Sequence, residues 1–161
     1  MAGVSIERTL WRDDELGLLH RTWGEHLPAI DIDYLMIEYN GGTVVGVIEY
    51  KHEQAKIQYL NYPNNKALIN LCDRANTPLF AVRYANNFSW WKVKPLNRCA
   101  TAKTNATSTI IYNEMEYVKF VYSLRNIVMP INIENQILNN IKPNEMPKHQ
   151  WDMIMKRKCF L

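Results

Sequence analysis

Two apolar runs separated by Asn-Gly-Gly dominate the pattern of hydrophobic and polar positions. Asp33-Tyr34-Leu35-Met36-Ile37-Glu38-Tyr39 and Thr43-Val44-Val45-Gly46-Val47-Ile48-Glu49-Tyr50-Lys51 are both rich in β-branched and aromatic residues. The Asn40-Gly41-Gly42 break between them marks a hairpin. Leu35, Ile37, Val45 and Val47 fall on one face, and Met36, Val44 and Ile48 on the other. Both faces are apolar, which predicts a sheet covered on both sides, as in an α/β fold. Upstream, Asp13 and Asp14 precede Leu16, Leu19, His20 and Trp23 at helical spacing, and Gly24 closes a helix predicted over 13–24. Downstream, Ala67, Leu68, Leu71, Cys72 and Ala75 form the buried stripe of a helix over 65–76, stopped by Asn76-Thr77-Pro78. Leu79–Tyr84 reads as a short strand. Strand, helix and strand in succession predict a crossover, with Leu79–Tyr84 parallel to the second hairpin strand.

Trp90-Trp91-Lys92-Val93-Lys94-Pro95 alternates apolar or aromatic residues with lysine, as a further strand does. It reads first as an edge strand with Trp inward and Lys outward; the competing reading is an aromatic and basic surface for nucleic acid. Residues 97–109, rich in Asn, Thr, Ala and Ser, read as a loop. Helices are predicted from Asn113 to Arg125 and from Ile133 to Ile141, with Pro130 between them. The tail from Trp151 to Leu161 is apolar but carries Lys156, Arg157 and Lys158. It suits docking on the body, closing a dimer or touching a phosphate backbone.

Register decides which charged groups meet. With Asn40, Gly41 and Gly42 as the loop, Tyr39 pairs with Thr43 and Asp33 lies opposite Glu49. Asp33, Glu49 and Lys51 then share one face. Directly opposite Cβ atoms lie roughly 4.5–5.5 Å apart, a separation that lets two carboxylates hold one divalent cation. Oxygen ligands of this kind suit Mg²⁺ or Mn²⁺, which keep waters and take up phosphate oxygens. Lys51 at the edge of such a cluster is placed to stabilise phosphate charge or orient an attacking water. A two-residue loop would pair Asp33 with Tyr50 and part the acids. Glu38 points to the opposite face and reads as a salt-bridge partner or edge residue.

Composition narrows the rest. A chain of 161 residues with 47% hydrophobic and 22% charged residues has the size and make-up of a single globular domain. Net charge is +3, so any nucleic-acid surface is a local patch and not the whole chain. No run of about 18 apolar residues predicts a membrane span. Cys72, Cys99 and Cys159 are odd in number and widely spaced. They read as free thiols in a reducing compartment, hence a cytoplasmic protein, with Cys72 in the core. No Gly-x-Ser-x-Gly elbow supports a serine hydrolase.

An Asp before an apolar strand, a hairpin, and a second strand ending Glu-x-Lys resembles the PD-(D/E)XK nuclease superfamily. That superfamily includes restriction endonucleases, Holliday-junction resolvases and many phage nucleases. The resemblance covers about residues 13–84. It departs in having Ile32 where the family has Pro, with Pro28 further upstream; Asp31 is a rival for the first acid. The resemblance implies a restriction-endonuclease-like α/β core. Its central mixed sheet is flanked by helices in the order helix, β-hairpin, helix, strand. The core spans about 13–95, and 96–161 form a helical extension of the same domain.

The resemblance also implies a Mg²⁺-dependent DNA endonuclease, cytoplasmic in the host if phage-encoded. Asp33 and Glu49 would ligate the metal, with the Tyr50 carbonyl as a further ligand, and Lys51 would assist water. An additional Glu from the preceding helix is implied. Glu15 and Glu7 are its candidates, although Glu15 also suits a helix N-terminal turn. DNA would lie over His52 and Gln54, with Lys66, Arg74, Lys92 and Lys94 contacting phosphates. Cutting two strands calls for a homodimer or larger homo-oligomer. The other expectation is a non-enzymatic nucleic-acid-binding or inhibitory protein on the same scaffold.

Overall fold

A computed structural model describes residues 22, 30, 32–38, 41–56 and 60–139. The chain divides into two compact units, residues 31–139 and residues 1–30 with 140–161. All described residues except Thr22 and Ile30 belong to the first. The helix predicted over 13–24, with Glu15 and His20, lies outside the described residues apart from Thr22, which is helical. Glu7, Asp31 and the tail from Trp151 also lie outside them.

Residues 31–139 form an α/β unit around a five-stranded mixed sheet in the order β1-β2-β3-β4-β5. The strands are β1 (Tyr34–Glu38), β2 (Thr43–His52), β3 (Leu79–Tyr84), β4 (Trp91–Pro95) and β5 (Ile110–Tyr112). The helices are α1 (Pro63–Arg74), α2 (Arg98–Thr104), α3 (Glu114–Leu124) and α4 (Ile131–Leu138). As the crossover requires, β2 and β3 run parallel, while the other pairings are antiparallel. Helix α1 begins at Pro63, whose missing N–H costs nothing in a first turn. It ends where Asn76 takes a left-handed backbone, φ 51°. No helix among the described residues is long and apolar enough to cross a membrane.

Side-chain alternation divides the core into two layers. On one face Ile48, Phe80, Val82 and Val93 meet Tyr117, Phe120 and Leu124 of α3 and Ala100 of α2. On the other, Val47 and Leu79 meet Leu68 and Cys72 of α1. Glu38 takes the role of salt-bridge partner: Arg125, just past α3, donates to its Oε2 from Nε at 3.2 Å and from a terminal nitrogen at 2.7 Å.

Several expectations are corrected. Glu38, not Tyr39, pairs with Thr43, so four residues connect the strands and the connection ends on Gly42 at φ 62°. The register then shifts between Met36 and Ile37, because Val45 is an extra residue that bulges from β2. Val44 consequently pairs with Ile37 and shares its face, not that of Ile48.

Residues 97–109 hold helix α2 and not a loop. Asn97 is the reason: its Oδ1 accepts N–H groups from Ala100 at 2.9 Å and Leu79 at 3.1 Å, while its Nδ2 donates to the Thr77 carbonyl at 2.8 Å. One buried amide thus caps the helix and ties it to the start of β3.

Strand β4 is not an edge strand, since β5 pairs with it. The segment after Pro95 is also no mere extension. Ala100, Tyr117, Phe120 and Leu124 all sit in the main core.

Candidate active site at the end of the hairpin

The Val45 bulge offsets the longer turn. From Met36 to Tyr34 the pairing is Gly46, Val47, Ile48, so one step further Asp33 stands beside Glu49. The Asp33 N–H donates to Glu49 Oε1 at 3.3 Å, and the Tyr50 N–H donates to Asp33 Oδ2 at 2.9 Å. Lys51 Nζ lies 3.7 Å from Asp33 Oδ2 and 3.6 Å from Glu49 Oε2. The three groups singled out by the hairpin reading therefore meet, with the ammonium serving both carboxylates.

Glu49 is only 8% exposed. Burial raises its pKa above the ordinary 4.5, and the Asp33 charge adds to this; the Asp33 N–H and Lys51 work the other way. A second cation on this carboxylate would relieve that penalty. Two carboxylates with free lone pairs fit an ion that takes one or two protein oxygens and completes its shell with water and phosphate. Among the described residues no three His, Cys, Asp or Glu side chains converge, so those two acids and a backbone carbonyl such as that of Tyr50 are the donor set at hand.

The Tyr50 side chain points to the opposite face and anchors the strand. Its hydroxyl shares a hydrogen bond with that of Tyr117, and its ring packs edge-on against Tyr34 and Trp91. Burial pushes both phenols up, Tyr117 far beyond the ordinary range, so both stay neutral. That packing pins the β2 backbone on which Glu49 and Lys51 stand.

Beside the trio lies a half-open cleft of about 280 Å³ on the α1 side of the sheet, with Glu49 and Lys51 on its wall. Pairing explains its charge. Lys51, Arg83 and Lys92 stand opposite one another on β2, β3 and β4, as do Glu49, Ala81 and Lys94, and directly paired residues share a face. Lys56, Leu60 and Asn65 close the side nearest α1. Arg83 holds that loop by donating to the Glu53 carbonyl and, at 2.7 Å, to the Ala55 carbonyl.

The other residues expected to touch DNA divide. Lys92 and Lys94 line the cleft. In Trp90–Lys94 the Trp91 ring points inward and stacks on Tyr117 at 4.4 Å, while the Lys92 ammonium sits 4.6 Å over the Trp90 ring. His52 lies on the opposite face, edge-on to Tyr84. Its Nδ1 accepts from the Gln54 N–H at 3.2 Å, so Nε2 carries the proton toward Asn86 Oδ1 at 3.3 Å. Gln54 is exposed in the turn after β2, and Lys66 is exposed in the first turn of α1, next to cleft-lining Asn65. Arg74 is in the last turn of α1, about 12 Å further along the helix and away from the cleft.

Arg83 and Lys56 were not singled out by the sequence pattern. The signal for Arg83 is its phase: in a strand parallel to β2, Ala81 and Arg83 keep step with Glu49 and Lys51. No family model, no curated protein and no solved structure matches the chain.

Proposed function

We propose that this protein is a metal-dependent nuclease that hydrolyses DNA phosphodiester bonds, on the plan of the PD-(D/E)XK nucleases. One observation carries the reading. Asp33, Glu49 and Lys51 converge at the end of one hairpin, and Glu49 and Lys51 line a cleft with Lys56, Arg83, Lys92 and Lys94 on its walls. Paired acids beside a phosphate-sized concentration of positive charge are what metal-assisted phosphodiester hydrolysis needs.

Asp33 and Glu49 would hold Mg²⁺ or Mn²⁺. When bound, such an ion neutralises phosphate charge and lowers the pKa of its water. The chain's own groups do the rest. The Tyr50 N–H fixes the Asp33 carboxylate, and the Asp33 N–H fixes Glu49. Lys51, exchanging carboxylate contacts for a phosphate oxygen or the attacking water, orients the nucleophile and offsets developing charge. Cutting both strands of a duplex would require a homodimer.

A second reading has an observation of its own. Because Lys51 already bridges both acids, the trio is also an ion cluster that holds without metal, as in a non-enzymatic DNA-binding protein. Incubation of plasmid, linear, branched and single-stranded DNA with Mg²⁺ or Mn²⁺, against an EDTA control, separates the two. Cutting that disappears in Asp33→Asn and Lys51→Ala is the expected result. Cutting that survives in both variants would overturn the site assignment.

A further inference from the structure

We propose that the cleft takes a single strand of nucleic acid and excludes the intact duplex. On this reading the strand crosses the sheet from β2 to β4, its phosphates on Arg83, Lys92 and Lys94. The proposal deepens the nuclease reading by naming the form of the substrate. It rests on that reading for the scissile bond alone, since binding in the cleft does not need cleavage.

Three observations carry it. First, the basic groups form a track. Lys51, Arg83 and Lys92 occupy directly paired positions on three adjacent strands. Strands are about 4.8 Å apart, so the track runs about 10 Å from the paired acids, perpendicular to the strands. That is a backbone's direction of travel, not a point site for one anion.

Second, beyond Lys51, which pairs with Asp33 and Glu49, the cleft is short of counter-charges among the described residues. The cleft wall carries five basic side chains, Lys51, Lys56, Arg83, Lys92 and Lys94, against the carboxylate of Glu49. Among the described residues no carboxylate pairs with Lys56, Lys92 or Lys94. Like charges gathered on one wall repel, and a polyanion laid along them removes that cost. The Trp90 ring beneath the Lys92 ammonium holds it in place at the track's far end.

Third, the space is small and the acid is deep. Glu49 is 8% exposed and lies on the cleft wall. A volume of about 280 Å³ accommodates a nucleotide or so. A duplex brings the paired nucleotides of two strands, more than that volume holds. A single strand also needs a single site, so one protomer suffices for it.

The test is binding in EDTA, read by fluorescence anisotropy of a labelled mixed-sequence oligonucleotide, single-stranded or annealed to its complement. The full chain is used. The single strand is expected to bind at least about 10-fold more tightly than the duplex. For a single strand each phosphate contact adds about 0.7 to the slope of log K against log salt, so Lys92→Gln with Lys94→Gln should weaken binding and lower the slope by about 1.4. Lys92→Arg with Lys94→Arg should restore both, which separates charge from folding. Arg74→Gln, at the far end of α1, should leave both unchanged.

Equal or tighter binding of the duplex would overturn the proposal. So would an unchanged slope in the Gln double variant. Intact single-strand preference with no cleavage under any metal would instead remove the nuclease reading and leave the cleft as a single-strand-binding site.

Discussion

Lys51→Met removes the cation that Asp33 and Glu49 share and keeps an aliphatic stem in its place. The ammonium lies 3.7 and 3.6 Å from the two carboxylates. At an effective dielectric constant of about 20, each contact is worth roughly 4–5 kcal/mol before desolvation and screening. The Lys51 and Asp33 side chains are 35% and 33% exposed. Solvent therefore takes most of that attraction, and pairs so placed retain about 1 kcal/mol or less each. Losing both, with the acids left to repel each other, costs the metal-free protein about 1–2 kcal/mol. For a chain of this size that lowers Tm by roughly 2–8 °C.

The same change should strengthen divalent-cation binding, because the ammonium no longer competes for the carboxylates. A gain of about 1 kcal/mol corresponds to roughly fivefold tighter binding. Thermal unfolding of wild type, Lys51→Met and Asp33→Asn is followed as Mg²⁺ or Mn²⁺ is titrated, with calorimetry for affinity. Lys51→Met should start lower, gain more from the metal than wild type does, and cut no DNA. Asp33→Asn should gain nothing. If metal stabilises wild type as much as Lys51→Met, the ammonium and the metal do not share one pair of carboxylates, and the reasoning fails.

The raised pKa of Glu49, caused mainly by burial, gives a pH signature. An acid whose folded-state pKa is raised contributes stability that is fully present below the unfolded value, near 4.5, and lost as pH rises through the folded value. Glu49→Gln in EDTA should therefore melt at or above wild type at pH 7 and lose that advantage at pH 4; a lower melting temperature at pH 7 counts against the account. Mg²⁺ affinity of wild type should climb with pH across the same window, as measured by calorimetry, because metal and proton compete for one carboxylate. Asn97→Ala strands the Leu79 N–H and the Thr77 carbonyl and uncaps α2, so urea unfolding should show a loss of about 3 kcal/mol. A loss under about 1 kcal/mol would mean water replaces the amide. Phe80→Ala empties a fully buried position that packs edge-on against Phe120 at 5.2 Å, and should cost about 3–5 kcal/mol in the same assay.

What the sequence reveals and conceals here follows from the range of each interaction. The helical stripe and the β-rich run of β2 are local patterns, and both elements form. Helix α1, however, starts and ends two residues before the predicted 65–76. Of the expected buried stripe only Leu68 and Cys72 are buried, while Ala67, Leu71 and Ala75 are exposed. Helix α2 has no such stripe. Arg98-Cys99-Ala100-Thr101-Ala102-Lys103-Thr104 is polar and short, and it is helical because Asn97 caps it and Ala100 is buried against the sheet. The cap is local, since Asn97 directly precedes α2, but the partners that bury and hold it, Leu79 and Thr77, lie far from α2 in sequence.

Register is the instructive case. A three-residue loop and a regular ladder predict Asp33 beside Glu49, and the two do meet. They meet because a turn one residue longer is offset by the Val45 bulge. Two departures from the simple hairpin cancel at the site and leave their mark only on Val44, which changes face. β2 is held in step with β3, so an unoffset slip would turn over β1 instead. Tyr34, Leu35 and Ile37 of β1 are exposed, and Met36 packs on the core, so such a slip would move Met36 off the core and part Asp33 from Glu49. The bulge near the turn absorbs the misfit where little packing is lost. The pairing runs on through β3 and β4, so Arg83, Lys92 and Lys94 stay in phase with Glu49 and Lys51. The alternation of Ala81 with Arg83 and of Lys92 with Lys94 is therefore the readable trace of the cleft, once β2 and β3 are known to be parallel neighbours.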